Sequence, residues 1–345
     1  MDQKTGKILY EYNAHEQLRP ASVTKVMTLL LIMEALDNGT INLDDNVPCS
    51  EKASSMGGSQ IWLDTTETLT VNEMLKAICV VSANDCCMAM AEYIAGSEEL
   101  FVEQMNKRAK ELGMNDTCFK NCHGIDEHGH LTSSYDIALM SRELITKHPK
   151  ITEYTTIWMD TLRDGKSELV NTNKLIRNYE GATGLKTGST STALFNLSAT
   201  ATRDNLSLIA VIMRGETSAL RFSEAQKLLD YGFSNYEYID FAKKGDIINT
   251  INVDKGVFAC TDAILESDAG TLIEKGKSKS ITSNTILNNN ISAPIIAGQK
   301  LGEISYSLDG EVISTVNIVA KEDVKKLSIG NMCARVIENW FKLLR

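Results

Sequence analysis

Three short motifs carry residues able to do chemistry, and they stand in order along the 345-residue chain. Ser22-Val23-Thr24-Lys25 sets a hydroxyl and an amine three residues apart. Ser82-Ala83-Asn84 offers a second hydroxyl and an amide. Lys186-Thr187-Gly188 offers a second amine. On a helix, residues i and i+3 share a face, so Lys25 Nζ reaches Ser22 Oγ. A serine hydroxyl is a poor nucleophile until a base takes its proton, and a lysine is a base only when neutral. Burial and a nearby cation both lower a lysine pKa, and Lys186 is the candidate second cation. The pattern reads as acyl transfer through an acyl-enzyme on Ser22, with Lys25 as base. The first turn of a helix favours negative charge, so the Ser22 N–H is one candidate oxyanion donor and the Ser189 N–H the other. Ser82 is read as relaying a proton to the leaving amine, and Asn84 as binding the substrate backbone. Lys186 and Thr187 are read as donors to a terminal carboxylate. Gly188 is read as the point where a substrate backbone comes close.

The surrounding pattern supplies elements to hold these residues. Pro20 fits just before a helix over Ala21 to Leu36. Val71 to Ile94 contains two helical runs around Ser82-Ala83-Asn84, and Ser97 to Gly113 and Ser134 to Lys147 read as further helices. Lys7 to Tyr12 reads as a short strand. Phe195 to Thr202 and Ser207 to Met213 read as a hairpin around Asp204-Asn205, followed by a helix over Ser218 to Tyr231. Lys186 to Gly188 leads into Ser189-Thr190 and the apolar run Ala193 to Leu197. This reads as an edge strand beside which a peptide can add as an extra strand. Helices segregated against an antiparallel sheet predict an α+β class for residues 1–236.

Residues 237–326 differ. Short alternating runs (Ile247 to Val253, Val257 to Leu265, Lys279 to Leu287, Lys300 to Ser307, Glu311 to Val319) and the turn Asp309-Gly310 predict a small all-β domain, a sandwich. Residues 327–345 are read as an amphipathic helix. Ile329, Met332, Cys333, Val336, Ile337, Trp340, Phe341 and Leu344 form one apolar stripe. Periodicity leaves two places for it: a membrane interface with Trp340 at headgroup depth, or its own β-domain.

Bulk properties narrow the function classes. A net charge of -10 and no basic block argue against nucleic acid as a partner. The longest apolar stretch, Val26 to Leu36, falls short of the roughly 20 residues a bilayer requires. The chain opens Met1-Asp2-Gln3-Lys4 with no visible signal peptide, which predicts either a cytoplasmic protein or a leader already removed. Eight cysteines without a CxxC pair read mostly as buried thiols. His123, His128 and His130 cluster, but without H-E-x-x-H or an i, i+4 pair, and the glycines among them mark a loop. No metal and no cofactor is expected.

With these motifs in view, the chain resembles the low-molecular-mass penicillin-binding proteins of the D-alanyl-D-alanine carboxypeptidase family. The matching stretches are Arg19 to Thr28, Ser55-Met56-Gly57-Gly58-Ser59, Val81 to Asp85 and Gly181 to Gly188, supported by Asn121 to Gly124, Asp136 to Ser141, Arg221-Phe222 and Leu228 to Phe233. The motif trio is shared by these proteins and class A β-lactamases. The resemblance covers most of the chain and implies a serine β-lactamase/transpeptidase-like α+β domain. It implies a peptidoglycan stem peptide ending in D-Ala-D-Ala as substrate, β-lactam antibiotics as inhibitors, and a role in cell-wall or spore-cortex maturation. It also implies that Arg221 helps bind the terminal carboxylate. Localisation would be extracytoplasmic, with the tail helix on the membrane surface. Two positions depart from the family: Ala83 stands where glycine is frequent, and Ser189 where many members have His or Phe.

Two other readings are weighed. A serine β-lactamase uses the same trio, but its deacylating Glu in an E-x-x-L-N context is absent between Asn84 and Lys186, and it has no place for the β-domain. A non-catalytic wall-binding protein of the same fold would have no need to retain all three motifs.

Overall fold

Ala21 adopts a left-handed backbone, φ +49°. From it the chain winds one 3₁₀ turn, Ala21–Thr24, before relaxing into helix α1, Lys25–Asp37. The sequence predicts an α-helix from Ala21 onward; the first turn is tighter than that. Val26 to Met33 are all buried. A helix apolar all round belongs in a core, and α1 is the central helix of the first of two units, Met1–Ser234 and Asn235–Arg345. The computed structural model describes residues 1–288 and 291–330.

Among the described residues, eight more helices of the first unit come after α1: α2, Glu51–Ser54; α3, Val71–Val80; α4, Asn84–Ala95; α5, Glu98–Glu111; α6, Ser134–Lys147; α7, Thr152–Thr155; α8, Leu175–Asn178; and α9, Ser218–Asn235. A capping box between Thr70 and Glu73 starts α3. Ser97 caps α5, and Gly113, at φ +77°, lies just past its end. Strands β1, Asn46–Pro48, and β2, Thr68–Thr70, form one small ladder; β3, Met159–Leu162, and β4, Ser167–Val170, form another. The main sheet of this unit is antiparallel in the order β5, Ala182–Thr190; β6, Leu194–Arg203; β7, Leu206–Gly215. Among the described residues β5 is its edge, and it carries Lys186-Thr187-Gly188.

The expected strand over Lys7 to Tyr12 does not form. Met1 and Ile209 exchange backbone hydrogen bonds, so Met1 to Gln3 takes the rim of β7. The Asp2 carboxylate then captures the Thr5 N–H and hydroxyl, and Gly6 at φ +75° turns the chain away. The segment from Lys7 to Tyr12 therefore has no ladder to join. Its residues line a groove of about 440 Å³ against β7 and α9, with Tyr10, Tyr12, Ile212 and Leu228 in its walls and none of the three motifs.

The second unit is all-β over its described residues, apart from a 3₁₀ turn at Ser278–Ser280 and the helical residues Ile329 and Gly330. Its strands are β8, Tyr236–Ala242; β9, Ile247–Asn252; β10, Cys260–Leu265; β11, Ala269–Glu274; β12, Ile281–Leu287; β13, Lys300–Leu308; and β14, Glu311–Ala320. Five form an antiparallel sheet ordered β12-β13-β14-β10-β9, and β8 and β11 pair as a ribbon. Phe241 of the ribbon stacks on Tyr306 of the sheet with ring centroids 4.2 Å apart, over a core of Leu265, Leu301, Ile304 and Ile318. Strands β8 and β11 are absent from the sequence reading. The amphipathic helix expected over 327–345 falls, for 331–345, outside the described residues.

Candidate active site

The 3₁₀ turn at Ser22 has a chemical consequence. With three residues per turn, side chains at i and i+3 eclipse, and Lys25 Nζ lies 3.0 Å from Ser22 Oγ. Two further atoms surround that amine. Asn84 Oδ1, at the start of α4, and the carbonyl of His123 each accept from it at 2.6 Å. Both are acceptors only. A neutral amine has two N–H donors and one lone pair. With both donors engaged, the lone pair is left facing Ser22 Oγ.

Burial pushes Lys25 below its ordinary pKa. It does the same to Lys186, with the charge of Lys25 adding to the effect, so that Lys186 falls to about 7. Of the two causes the sequence reading names for Lys25, burial and the second cation Lys186, burial leads, and the mutual repulsion registers at Lys186. Cys79 and Cys87, pushed by burial to about 12 and about 11, stay protonated and supply no thiolate counter-charge near neutrality.

Ser82 lies between α3 and α4 at φ +66°, a left-handed conformation costly for a non-glycine residue. Its hydroxyl is buried with no hydrogen-bond partner among the described residues. Asn84 is held at three atoms: Oδ1 accepts from Lys25, Nδ2 donates to the Gly57 carbonyl at 2.7 Å, and its backbone N–H donates to Ser59 O at 2.7 Å. The amide thus positions Lys25 and keeps one N–H and one lone pair for the substrate backbone that the sequence reading assigns to it. Next to it, Asp85 accepts from the N–H groups of Ile61, Leu63 and Cys86, which pins the Gly57 to Leu63 loop onto α4.

The strand β5 abuts the nucleophile. A Cβ on Gly188 would stand 2.8 Å from Pro20 O, 2.8 Å from Val23 N and 2.9 Å from Ser22 N. The glycine is therefore required by the protein's own 3₁₀ turn, a demand additional to the substrate approach that the sequence reading assigns to it. Lys186 Nζ donates to Thr187 O at 2.9 Å, and Thr187 Oγ1 lies 2.7 Å from Thr172 Oγ1. Ser189 is exposed, just beyond. Arg221, from α9, donates through Nη1 to the carbonyls of Gly188 and Asn196, at 3.1 and 3.2 Å, and lies over Phe195 and Phe222. These contacts brace the strand from behind, and Arg221 Nε is buried with no hydrogen-bond partner among the described residues.

His123, weighed in the sequence only as one of a histidine cluster, matters through its carbonyl, which side-chain reasoning does not see. The ring of His130 contacts Thr24 Oγ1 at 2.7 Å and accepts from Lys120 N–H at 2.9 Å, with its pKa lowered by burial to about 4. Of the surface or cleft-edge loop expected here, the part from Asn121 to Gly124 is buried beside Lys25, and its glycine explains why: a Cβ on Gly124, φ +90°, would stand 2.0 Å from Ala21 O.

Comparison with known proteins agrees with this geometry. A family model described as D-alanyl-D-alanine carboxypeptidase matches residues 1–217, and one described as penicillin-binding protein 5, C-terminal domain, matches residues 236–326. The chain is 44% identical to the D-alanyl-D-alanine carboxypeptidase DacF of Bacillus subtilis, over 99% of this chain and 89% of that one. It superposes on penicillin-binding protein 5 from Haemophilus influenzae with a TM-score of 0.81, at 32% identity, covering 94% of this chain and 96% of the other. Penicillin-binding protein D2 from Listeria monocytogenes, in an ampicillin-bound form, matches 67% of this chain and 94% of its own length at 31% identity, with a TM-score of 0.61.

Proposed function

Because the chain belongs to the D-alanyl-D-alanine carboxypeptidase family, we propose that it hydrolyses the terminal peptide bond of peptidoglycan stem peptides ending in D-Ala-D-Ala, through an ester on Ser22. The observation that carries this reading is the amine of Lys25, held by two obligate acceptors at 2.6 Å with Ser22 Oγ at 3.0 Å. Lys25 takes the Ser22 proton as Oγ bonds to the carbonyl carbon of the penultimate residue. The resulting oxyanion accepts from the N–H groups of Ser22 and Ser189, donors fixed before the charge develops. The proton passes by way of the Ser82 hydroxyl to the amide nitrogen, the C–N bond breaks, and D-alanine leaves. Water then attacks the ester with the same groups acting in reverse. Support for Ser82 as relay is its buried hydroxyl, which has no partner among the described residues.

Lys186 and Thr187 bind the terminal carboxylate in this reading, with Gly188 and Arg221 keeping their strand in place. A β-lactam, which also carries a carboxylate beside a reactive carbonyl, would acylate Ser22 likewise; the ampicillin-bound and cefotaxime-bound forms of the Listeria relative support this. We further place the activity outside the cytoplasmic membrane, where cross-linked wall peptides lie, with the apolar stripe of residues 327–345 along the membrane surface. Trimming of stem peptides places the protein, in this proposal, in cell-wall or spore-cortex maturation.

Mass spectrometry after benzylpenicillin treatment tests the proposal. We expect one adduct, on the peptide containing Ser22 and lasting for many minutes, that is lost in Ser22→Ala and slowed by orders of magnitude in Lys25→Ala. An adduct elsewhere refutes the assignment, and rapid turnover of penicillin would favour a β-lactamase.

A further inference from the structure

The carbonyl of His123 orients the proposed base, so whatever fixes that carbonyl takes part in catalysis at one remove. The segment Cys122 to Gly124 has no regular secondary structure to hold it. From inside, Thr28 donates to Cys122 O at 2.6 Å and Lys25 to His123 O at 2.6 Å. From outside, the Glu98 carboxylate meets it. Glu98, the first residue of α5, has Oε1 3.3 Å from Cys122 N, 3.7 Å from Cys122 Sγ and 3.4 Å from His123 Nε2. Its other oxygen lies 3.0 Å from Lys52 Nζ. Burial raises the Glu98 pKa, but His123, Lys52 and the Cys122 N–H outweigh it and hold the group at about 2. It is thus an anion throughout the working range. Its side chain is largely buried.

We propose that Glu98 is a positioning residue for the acyl-transfer step: it clamps the 122–123 backbone so that the His123 carbonyl keeps the lone pair of Lys25 on Ser22. The proposal rests on the reading of Lys25 as general base. Without the clamp, the carbonyl can swing away. The amine then regains a free N–H, and its lone pair need no longer face the hydroxyl. Near-attack geometry tolerates little such drift. The charge of Glu98 is not what acts, because the carboxylate that bears on Lys25 is Asp85, not Glu98. An uncharged acceptor of the same shape should therefore serve.

Stopped-flow acylation by a fluorescent penicillin separates non-covalent affinity from the first-order acylation rate. In Glu98→Ala we expect the rate constant to fall at least tenfold with affinity within twofold of wild type. Glu98→Gln should recover it to within threefold. A residue important only for stability would lower the melting temperature of Glu98→Ala and leave the acylation rate of the folded protein unchanged; that result overturns the proposal, as does a Gln variant as slow as the Ala variant. Should Glu98→Ala not fold, Glu98→Asp withdraws the same charge by one methylene. A rate loss there supports the clamp, and full wild-type acylation overturns it. Wild-type protein and Lys25→Ala run alongside keep the two levels apart: fast acylation in Lys25→Ala means the base is misassigned, whereas a slow Lys25→Ala with a fast Glu98→Ala means only the clamp is.

Discussion

Gly188→Ala tests whether the site is built on the protein's own packing. The added methyl would meet Pro20 O and Val23 N at 2.8 Å and Ser22 N at 2.9 Å. All three are backbone atoms, so no side chain can rotate to make room. Favourable carbon contacts begin near 3.4 to 3.5 Å, so β5 and the 3₁₀ turn must part by about 0.6 Å. This has two costs. Overpacking of this kind destabilises by roughly 1–3 kcal/mol, which for a unit of this size lowers the melting temperature by about 2–12 °C. The displacement also falls between Ser22 and the strand that carries Lys186, Thr187 and Ser189, where a shift approaching 1 Å costs on the order of a hundredfold in rate. We expect the second-order constant for acylation by penicillin to drop tenfold to a hundredfold, together with the loss in melting temperature measured without ligand. If Gly188 served only a substrate backbone, stability would be untouched and only substrate affinity would suffer. A variant with wild-type melting and acylation within threefold would refute the packing argument.

The remaining predictions concern the carboxylate end of the cleft and pH. As a cation Lys186 is present below its folded value of about 7 and lost above it, whereas Lys25 must be neutral, so kcat/KM should rise from acid pH and decline as pH passes upward through about 7. Lys186→Met should raise KM and abolish the alkaline decline, and a wild-type profile that keeps climbing to pH 9 contradicts this. Between about 7 and the ordinary value of 10.5 the unfolded chain binds the Lys186 proton and the folded one does not, so unfolding free energy should increase with pH across that window and the slope should diminish in Lys186→Met. Thr172→Val removes the hydroxyl 2.7 Å from Thr187 Oγ1; one neutral hydrogen bond is worth about 0.5–1.5 kcal/mol, so KM for a D-Ala-D-Ala peptide should rise roughly twofold to tenfold with kcat little changed, and an unaltered KM would show that the pair has no part in binding.

What the sequence makes legible is side-chain chemistry at fixed spacing. Ser22 with Lys25, Ser82 with Asn84, and Lys186 with Thr187 are readable because the nucleophile, base and cation must be those residue types. The helix over Ser134–Lys147 is readable because a serine cap and an apolar period bound it. Backbone roles are not legible. Nothing in the letters assigns the His123 carbonyl to Lys25, the commitment of the Asn84 amide, or the demand of Pro20 and Val23 on Gly188. Strand β8 escapes notice because it continues directly from α9, at Asn235–Tyr236, with no glycine or proline to mark a break. The strand predicted at Lys7–Tyr12 fails for the complementary reason: alternation describes a surface that fits a sheet, and the Asp2–Thr5 turn leads the segment away from the rim of β7.

The two buried lysines show how far this arrangement departs from what stability alone would select. Neither has a carboxylate within ion-pair distance among the described residues, the nearest thiols stay protonated, and burying an ammonium without a partner is costly. Ala21 and Ser82 hold left-handed backbones beside them, each an added strain. The compensation lies in the surroundings: α1 buried on every side, Asp85 satisfied by three N–H groups, Gly124 and Gly188 pressed against the 3₁₀ turn from two sides. A lysine in water would be an ammonium with its donors disordered. Here burial lowers the Lys25 pKa and so favours the neutral amine, and rigid acceptors decide where its lone pair goes. The same features that strain the pocket therefore make Ser22 reactive, and loosening the rigid neighbours should cost acylation by freeing the Lys25 amine to turn.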